Sequence, residues 1–239
     1  MLGERAGAAV DGAQWLACEN PEALLGFLRA RGPDERKLRL FACACCRRAW
    51  HLAASRRSLE AVDTVERYVD RLAGGERLPG ARSGATAAYR EAPKVRAGAR
   101  RFAQAARLVT YWGAIPADYQ SATVARLCAE AAVEAGNDLR TWGRERAAQA
   151  ALLRDLFNPF RPVTLDPAWL TGNGGLAARV AAGIHEAGDF AGVPVLADAL
   201  EEAGCEDRYL LDHCRGGPHA RGCWAVDQIL GREKSAPPL

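Results

Sequence analysis

Apolar residues recur along this chain at steps of three and four, and the breaks between the runs carry residues that start or stop helices. Asn20-Pro21-Glu22 reads as an N-cap, a proline suited to the first helical position and an acid in the first turn. The helix it opens runs through Leu24, Leu25, Phe27 and Leu28 and stops at Gly32-Pro33. Asp34 can cap the next, whose stripe is Leu38, Phe41, Ala42, Cys45, Ala49 and Leu52, with Arg36, Arg39, Arg47 and Arg48 largely outside it. Ser55 or Ser58 can start a third, burying Leu59, Val62, Val65, Val69 and Leu72 and ending at Gly74-Gly75, with a loop at Leu78-Pro79-Gly80.

Residues 81–112 are rich in alanine and arginine, break near Pro93 and have a thin apolar face of Val95, Phe102, Leu108, Val109 and Trp112. Ile115-Pro116 opens a helix that ends at Gly136-Asn137, and another runs from Asp138 through Leu156. Residues 158–167, NPFRPVTLDP, hold three prolines and cannot be a helix interior. Helices then follow over 175–187, 193–203, 206–215 and 218–230, with Gly231 as a C-cap. No strand pattern stands out. The expectation is an all-α bundle of about eight to ten helices, with a basic unit over 1–157 and a Cys/His-containing unit over 158–239.

Composition agrees. Alanine, leucine and arginine dominate, and β-branched residues are sparse, which favours helix. No apolar run approaches the roughly 20 residues that span a bilayer, and the first fifteen residues lack an apolar signal segment. The reading is a cytoplasmic protein without membrane contact, whose eight cysteines are reduced thiols or metal ligands. Net charge is +3, unevenly spread: residues 1–120 carry +7 and residues 121–239 carry −4. Solvated helix faces account for this, and so does a nucleic-acid surface built on Arg36, Lys37, Arg39, Arg47 and Arg48.

The densest chemistry lies near the C-terminus, where Cys205, Cys214, His219 and Cys223 read C-x8-C-x4-H-x3-C, with His213 beside Cys214. Thiolate and imidazole are the ligands zinc prefers. With 218–230 helical, His219 and Cys223 would share one face. Cysteines packed as small core residues are the alternative, both here and for Cys43, Cys45 and Cys46, whose mid-helix spacing suits no metal motif.

Enzyme signatures are sparse: His185-Glu186 lacks the second histidine of H-E-x-x-H, and neither G-x-S-x-G nor a P-loop occurs. Gly172-Asn173-Gly174-Gly175 precedes a helix without a preceding strand. A cleft assembled from Arg36, Cys46, Arg47 and His51 is a further possibility.

Four stretches, KLRLFACACCRRAWHL (37–52), NPFRPVTLDPAWL (158–170), VPVLADALEEAGC (193–205) and GPHARGCWAVDQILG (217–231), together resemble an uncharacterised family of paralogous bacterial proteins of planctomycete type. The third is also similar to a helix of a small repeat-companion domain. The glycine-rich run at 171–175 and His185 depart from that pattern, and the resemblance implies no activity. Two expectations follow: a non-catalytic cytoplasmic interaction protein that binds another protein or itself and needs no cofactor, or a nucleic-acid-associated protein with a zinc-stabilised C-terminal hairpin.

Overall fold

The computed structural model describes residues 11–93, 96–111, 115–136 and 138–232. Val95, Trp112 and Asn137 lie outside them. Among the described residues the chain is all-α, with twelve α-helices and no strand. The helices are α1 (Gly12–Ala17), α2 (Pro21–Arg29), α3 (Glu35–Arg48), α4 (Arg56–Val69), α5 (Leu78–Glu91), α6 (Ala99–Val109), α7 (Ala117–Gly136), α8 (Arg140–Leu156), α9 (Pro167–Ala187), α10 (Val193–Glu202), α11 (Arg208–Arg215) and α12 (Trp224–Ile229). No described helix is long and apolar enough to cross a membrane.

The caps work as the sequence predicts. Asn20 accepts from the amides of Glu22 and Ala23, and Asp34 accepts from that of Arg36. Each satisfies amide donors that the first helical turn leaves without a partner.

Three boundaries differ from expectation. Helix α4 ends at Val69, and Leu78-Pro79-Gly80 begins α5, because a proline in the first turn loses no helical hydrogen bond. Helix α9 is two helical pieces joined across Gly172–Gly175, where Asn173, Gly174 and Gly175 adopt left-handed angles. The predicted helix over 218–230 is confined to 224–229. Residues 216–223 form a loop containing a cis Gly217–Pro218 bond and left-handed Gly222.

Two apolar cores form on either side of the proline-rich segment. The first gathers residues from Trp15 to Phe157 around α3, which is buried on nearly every side and includes Cys43, Cys45 and Cys46. Those thiols act as small packed side chains, with Cys46 Sγ 4.0 Å from Cys128 Sγ. The second core gathers residues from Val163 to Ile229.

Where the two cores meet, buried charges pair across the junction. Asp70, fully buried at the end of α4, accepts from Arg36 of α3 (2.5 Å) and from Arg221 (2.8 Å) and Arg232 (3.0 Å) of the C-terminal unit. His185 Nε2 of α9 lies 2.8 Å from the same carboxylate. Arg36 also reaches Asp227 of α12 at 2.5 Å. Burial alone would raise the Asp70 pKa, but His185, Arg36 and Arg221 overturn that and hold it well below the ordinary carboxylate range.

Candidate metal centre

Four side chains from four places in the chain converge on one point between the cores. Asp155 comes from the last turn of α8, His213 from α11, His219 from the following loop and Cys223 from the N-cap of α12. One ligand atom from each lies within 4.8 Å of all the others. Asp155 Oδ1 is 2.6 Å from His219 Nδ1 and 3.5 Å from His213 Nε2. Cys223 Sγ is 3.2 Å from His213 Nε2 and 3.7 Å from His219 Nδ1.

Zinc bonds of about 2.0–2.3 Å place tetrahedral ligands about 3.3–3.6 Å apart. Of the six separations among the four ligand atoms, the three at 3.2, 3.5 and 3.7 Å fall close to that range, and all six lie within 4.8 Å. The shortest given, at 2.6 Å, is a hydrogen bond between Asp155 and His219 that ligation would replace.

The outer contacts suit ligation as well. His219 turns Nδ1 inward, so Nε2 carries the proton and donates to the carbonyl of Cys214 at 3.1 Å. Asp155 turns Oδ1 inward, and its Oδ2 accepts from the Ala220 amide at 2.8 Å. The His213 ring lies against Trp224, centroids 4.4 Å apart, and Trp224 stacks on Tyr209. Tyr209 in turn donates to Asn158 of the proline-rich segment at 2.9 Å. These contacts fix each ring and carboxylate in the orientation that points a lone pair at the common centre.

The same geometry argues against a cysteine–histidine–aspartate relay. A relay needs one imidazole to present one nitrogen to the nucleophile and the other to the carboxylate. Here each histidine presents a single nitrogen to both Cys223 and Asp155. Cys223 is also fully buried.

Protonation follows burial and neighbours. Desolvation pulls the His213 pKa down to about 4, leaving the ring neutral with a free lone pair at neutral pH. His219 is also desolvated, but its hydrogen bond to Asp155 and that carboxylate's charge outweigh burial and raise its pKa. Burial pushes the Cys223 thiol up, as does the charge of Asp155. A divalent cation at the centre would reverse that order and hold the sulfur as thiolate.

The structure therefore brings together His219 and Cys223 of the four residues predicted from spacing, and adds Asp155 and His213. The sulfurs of Cys205 and Cys214 are outside the group. Both residues are buried in the second core, and Cys214 takes part through its carbonyl oxygen. His213 was visible beside Cys214. Asp155 had one weak signal, an acid inside the apolar run Leu152-Leu153-Arg154-Asp155-Leu156-Phe157. His219 and Cys223 meet across a loop turn, not along a helix face.

The predicted nucleic-acid residues are spent on the protein itself. Arg36 pairs with Asp70 and Asp227, and buried Lys37 donates to the Leu156 carbonyl at 2.6 Å, 3.9 Å from Asp227. Arg39 pairs with Glu35, Arg47 with Asp63 and Glu66, and Arg48 with Glu145. The imagined cleft of Arg36, Cys46, Arg47 and His51 does not form a site, since Cys46 is sealed in the core while His51 is exposed. No known protein family, curated protein or solved structure matches this chain.

Proposed function

We propose that this chain is a non-catalytic helical binding protein whose two units are held together by one structural zinc-type ion. The ion would be coordinated by Asp155, His213, His219 and Cys223. The observation that carries this reading is the convergence of one oxygen, two nitrogens and one sulfur on a common centre. Each of Asp155 and His219 also has its second polar atom tied to the backbone.

Mixed nitrogen, sulfur and oxygen donors suit zinc over calcium or magnesium, which take oxygen ligands. Four protein ligands would leave no open position for substrate, which favours a structural over a catalytic role. Asp155 stands on α8, whose apolar residues belong to the first core, and Cys223 is packed in the second, so the ion would act as a bolt between them. Eight free cysteines suit a reducing, cytoplasmic setting.

The test is elemental analysis of the purified, untagged chain, alongside the Asp155→Ala variant. About one zinc per chain in the parent and a clear loss in the variant is the expected result. A metal-free parent that takes up no zinc in a chelator-buffered titration would sink the reading.

A further inference from the structure

The seam between α5 and α6 carries a second constellation, built from different chemistry. The guanidinium of Arg82 stands over the ring of Tyr111, 4.0 Å from its centroid. Arg107 lies 5.4 Å from that ring and 5.0 Å from the ring of Tyr89. Arg100 stands 4.6 Å over Tyr89. The order is Arg82, Tyr111, Arg107, Tyr89, Arg100, with each neighbouring pair of cations sharing one ring. Arg107 Nη1 also donates to Tyr111 Oη at 3.0 Å, and Arg100 Nη1 to the Tyr89 carbonyl at 3.4 Å. Aromatic faces attract guanidinium groups, so the rings hold like charges side by side that would otherwise separate. Ala85 and Ala88 of α5 and Ala99, Ala103 and Ala106 of α6 are buried, whereas Arg82 is exposed and Arg100 and Arg107 are half-buried.

Neighbouring arginines are treated differently. Arg57 meets Glu91, and Arg101 meets Glu130 and Glu134. Among the described residues, Arg82, Arg100 and Arg107 have no carboxylate partner, and neither do the exposed Arg90 and Arg96 that flank them. A row of pre-positioned, unneutralised guanidiniums lowers its energy by meeting a polyanion.

We propose that the α5–α6 seam binds the phosphodiester backbone of a nucleic acid, with Arg82, Arg100 and Arg107 contacting phosphates and Tyr89 and Tyr111 holding them in place. Planar guanidinium forks match phosphate oxygens in pairs, and their spaced row suits a regularly repeating anion better than the irregular carboxylates of an acidic protein. The contacts are to backbone, so the binding is indifferent to base sequence. This surface does not depend on the metal centre, and either proposal can fail alone.

The experiment is fluorescence anisotropy of the full chain with two labelled probes of about 20 nucleotides, an oligothymidylate and a duplex, over a range of salt. Binding of either probe is expected, with a log–log salt slope of about −2 to −3 for three phosphate contacts. Arg82→Gln and Arg107→Gln should each reduce the slope by about 1. Tyr111→Leu should weaken binding with no change in charge, which a merely basic surface would not show. Arg56→Gln, an exposed arginine paired with Glu60, should bind as the parent does. Thermal unfolding of every variant identifies any that is simply misfolded; exposed Arg82 is the safeguard, since its loss leaves the core intact. No binding at low salt, or unchanged binding by folded Arg82→Gln and Arg107→Gln, would overturn the proposal. Equal affinity for a labelled polyglutamate of the same charge would assign the surface to an acidic protein and overturn it too.

Discussion

Cys214 and Cys223 are both buried cysteines near the same histidines, yet they offer different atoms to the centre. Cys223 presents its sulfur to His213 and His219, whereas Cys214 presents its backbone oxygen to His219. Side-chain substitution should separate them. Cys223→Ser should lower zinc affinity by more than about 100-fold in a competition with a chromogenic chelator, since losing an outer contact alone typically costs 10–100-fold. Cys214→Ser keeps the carbonyl, so it should retain about one zinc per chain and cost about 1–2 kcal/mol for burying a hydroxyl in place of a thiol. Equal metal loss from both variants would place the centre elsewhere. Spacing alone could not make this distinction, because a thiol pattern does not reveal which cysteines point inward.

At the scale of elements, the loop between α11 and α12 depends on Gly222. Its φ is +93°, in a region that favours glycine, and an added Cβ would stand 2.8 Å from Leu40 Cδ1 on α3. Left-handed strain and overpacking together give an expected loss of about 2–4 kcal/mol for Gly222→Ala in urea denaturation. Because Gly222 precedes Cys223, the same variant should also hold zinc less tightly. Wild-type stability and metal content in Gly222→Ala would show that the loop tolerates a side chain there.

Helices α2 and α3 were legible in the sequence down to their caps, since Asn20 and Asp34 act on amides two and three residues away. The start of α5 was not, because a proline-glycine pair reads equally as a loop or as a first helical turn. Only the packing of α5 against α4 and α6 selects the helix. Residues 218–223 form a loop where the spacing predicts helix for a related reason: the hydrophobic spacing allows a helix, but Gly222 adopts a positive φ that breaks it.

At the scale of the whole molecule, two apolar cores are joined through charge. Asp70 neutralises cations from both units, so Asp70→Asn would leave Arg36, Arg221 and Arg232 without their shared anion. Breaking such a buried set by removing one partner costs about 3–5 kcal/mol, and thermal or urea unfolding should register it. Acid should act on the same group. The folded-state pKa of Asp70 is depressed, so its contribution is fully present above the unfolded value of about 4 and is lost as pH falls through the folded value. The unfolding temperature should drop steeply below about pH 4, and less steeply in Asp70→Asn. Metal removal should be felt across the same junction. Chelation by EDTA should lower the unfolding temperature of the whole chain and speed proteolysis in the proline-rich segment, because binding free energy at such a centre is also folding free energy. An unchanged melting curve after complete metal removal would mean that the charges alone hold the junction.

The sequence by itself determined the helical class, most helix spans, the helix break in the proline-rich segment at 158–166 and the presence of ligand-type residues close to the C-terminus. These are local matters: periodicity, caps and breakers act within one or two helical turns, and they are written in order along the chain. Tertiary structure alone decided which ligand atoms meet. Asp155 stands 58 positions before His213 in a helix of the other core, and only the docking of the two units sets its carboxylate beside the imidazoles. The same holds for charge. Arg36 and Lys37 look like part of an exposed basic stripe until Asp70, Asp227 and Leu156 are folded around them, whereas Arg82, Arg100 and Arg107 gain their significance from Tyr89 and Tyr111, brought to them where α5 and α6 meet, and from having no ion-pair partner among the described residues. Coulombic and coordination contacts depend on distance in space, and a sequence records only distance along the chain.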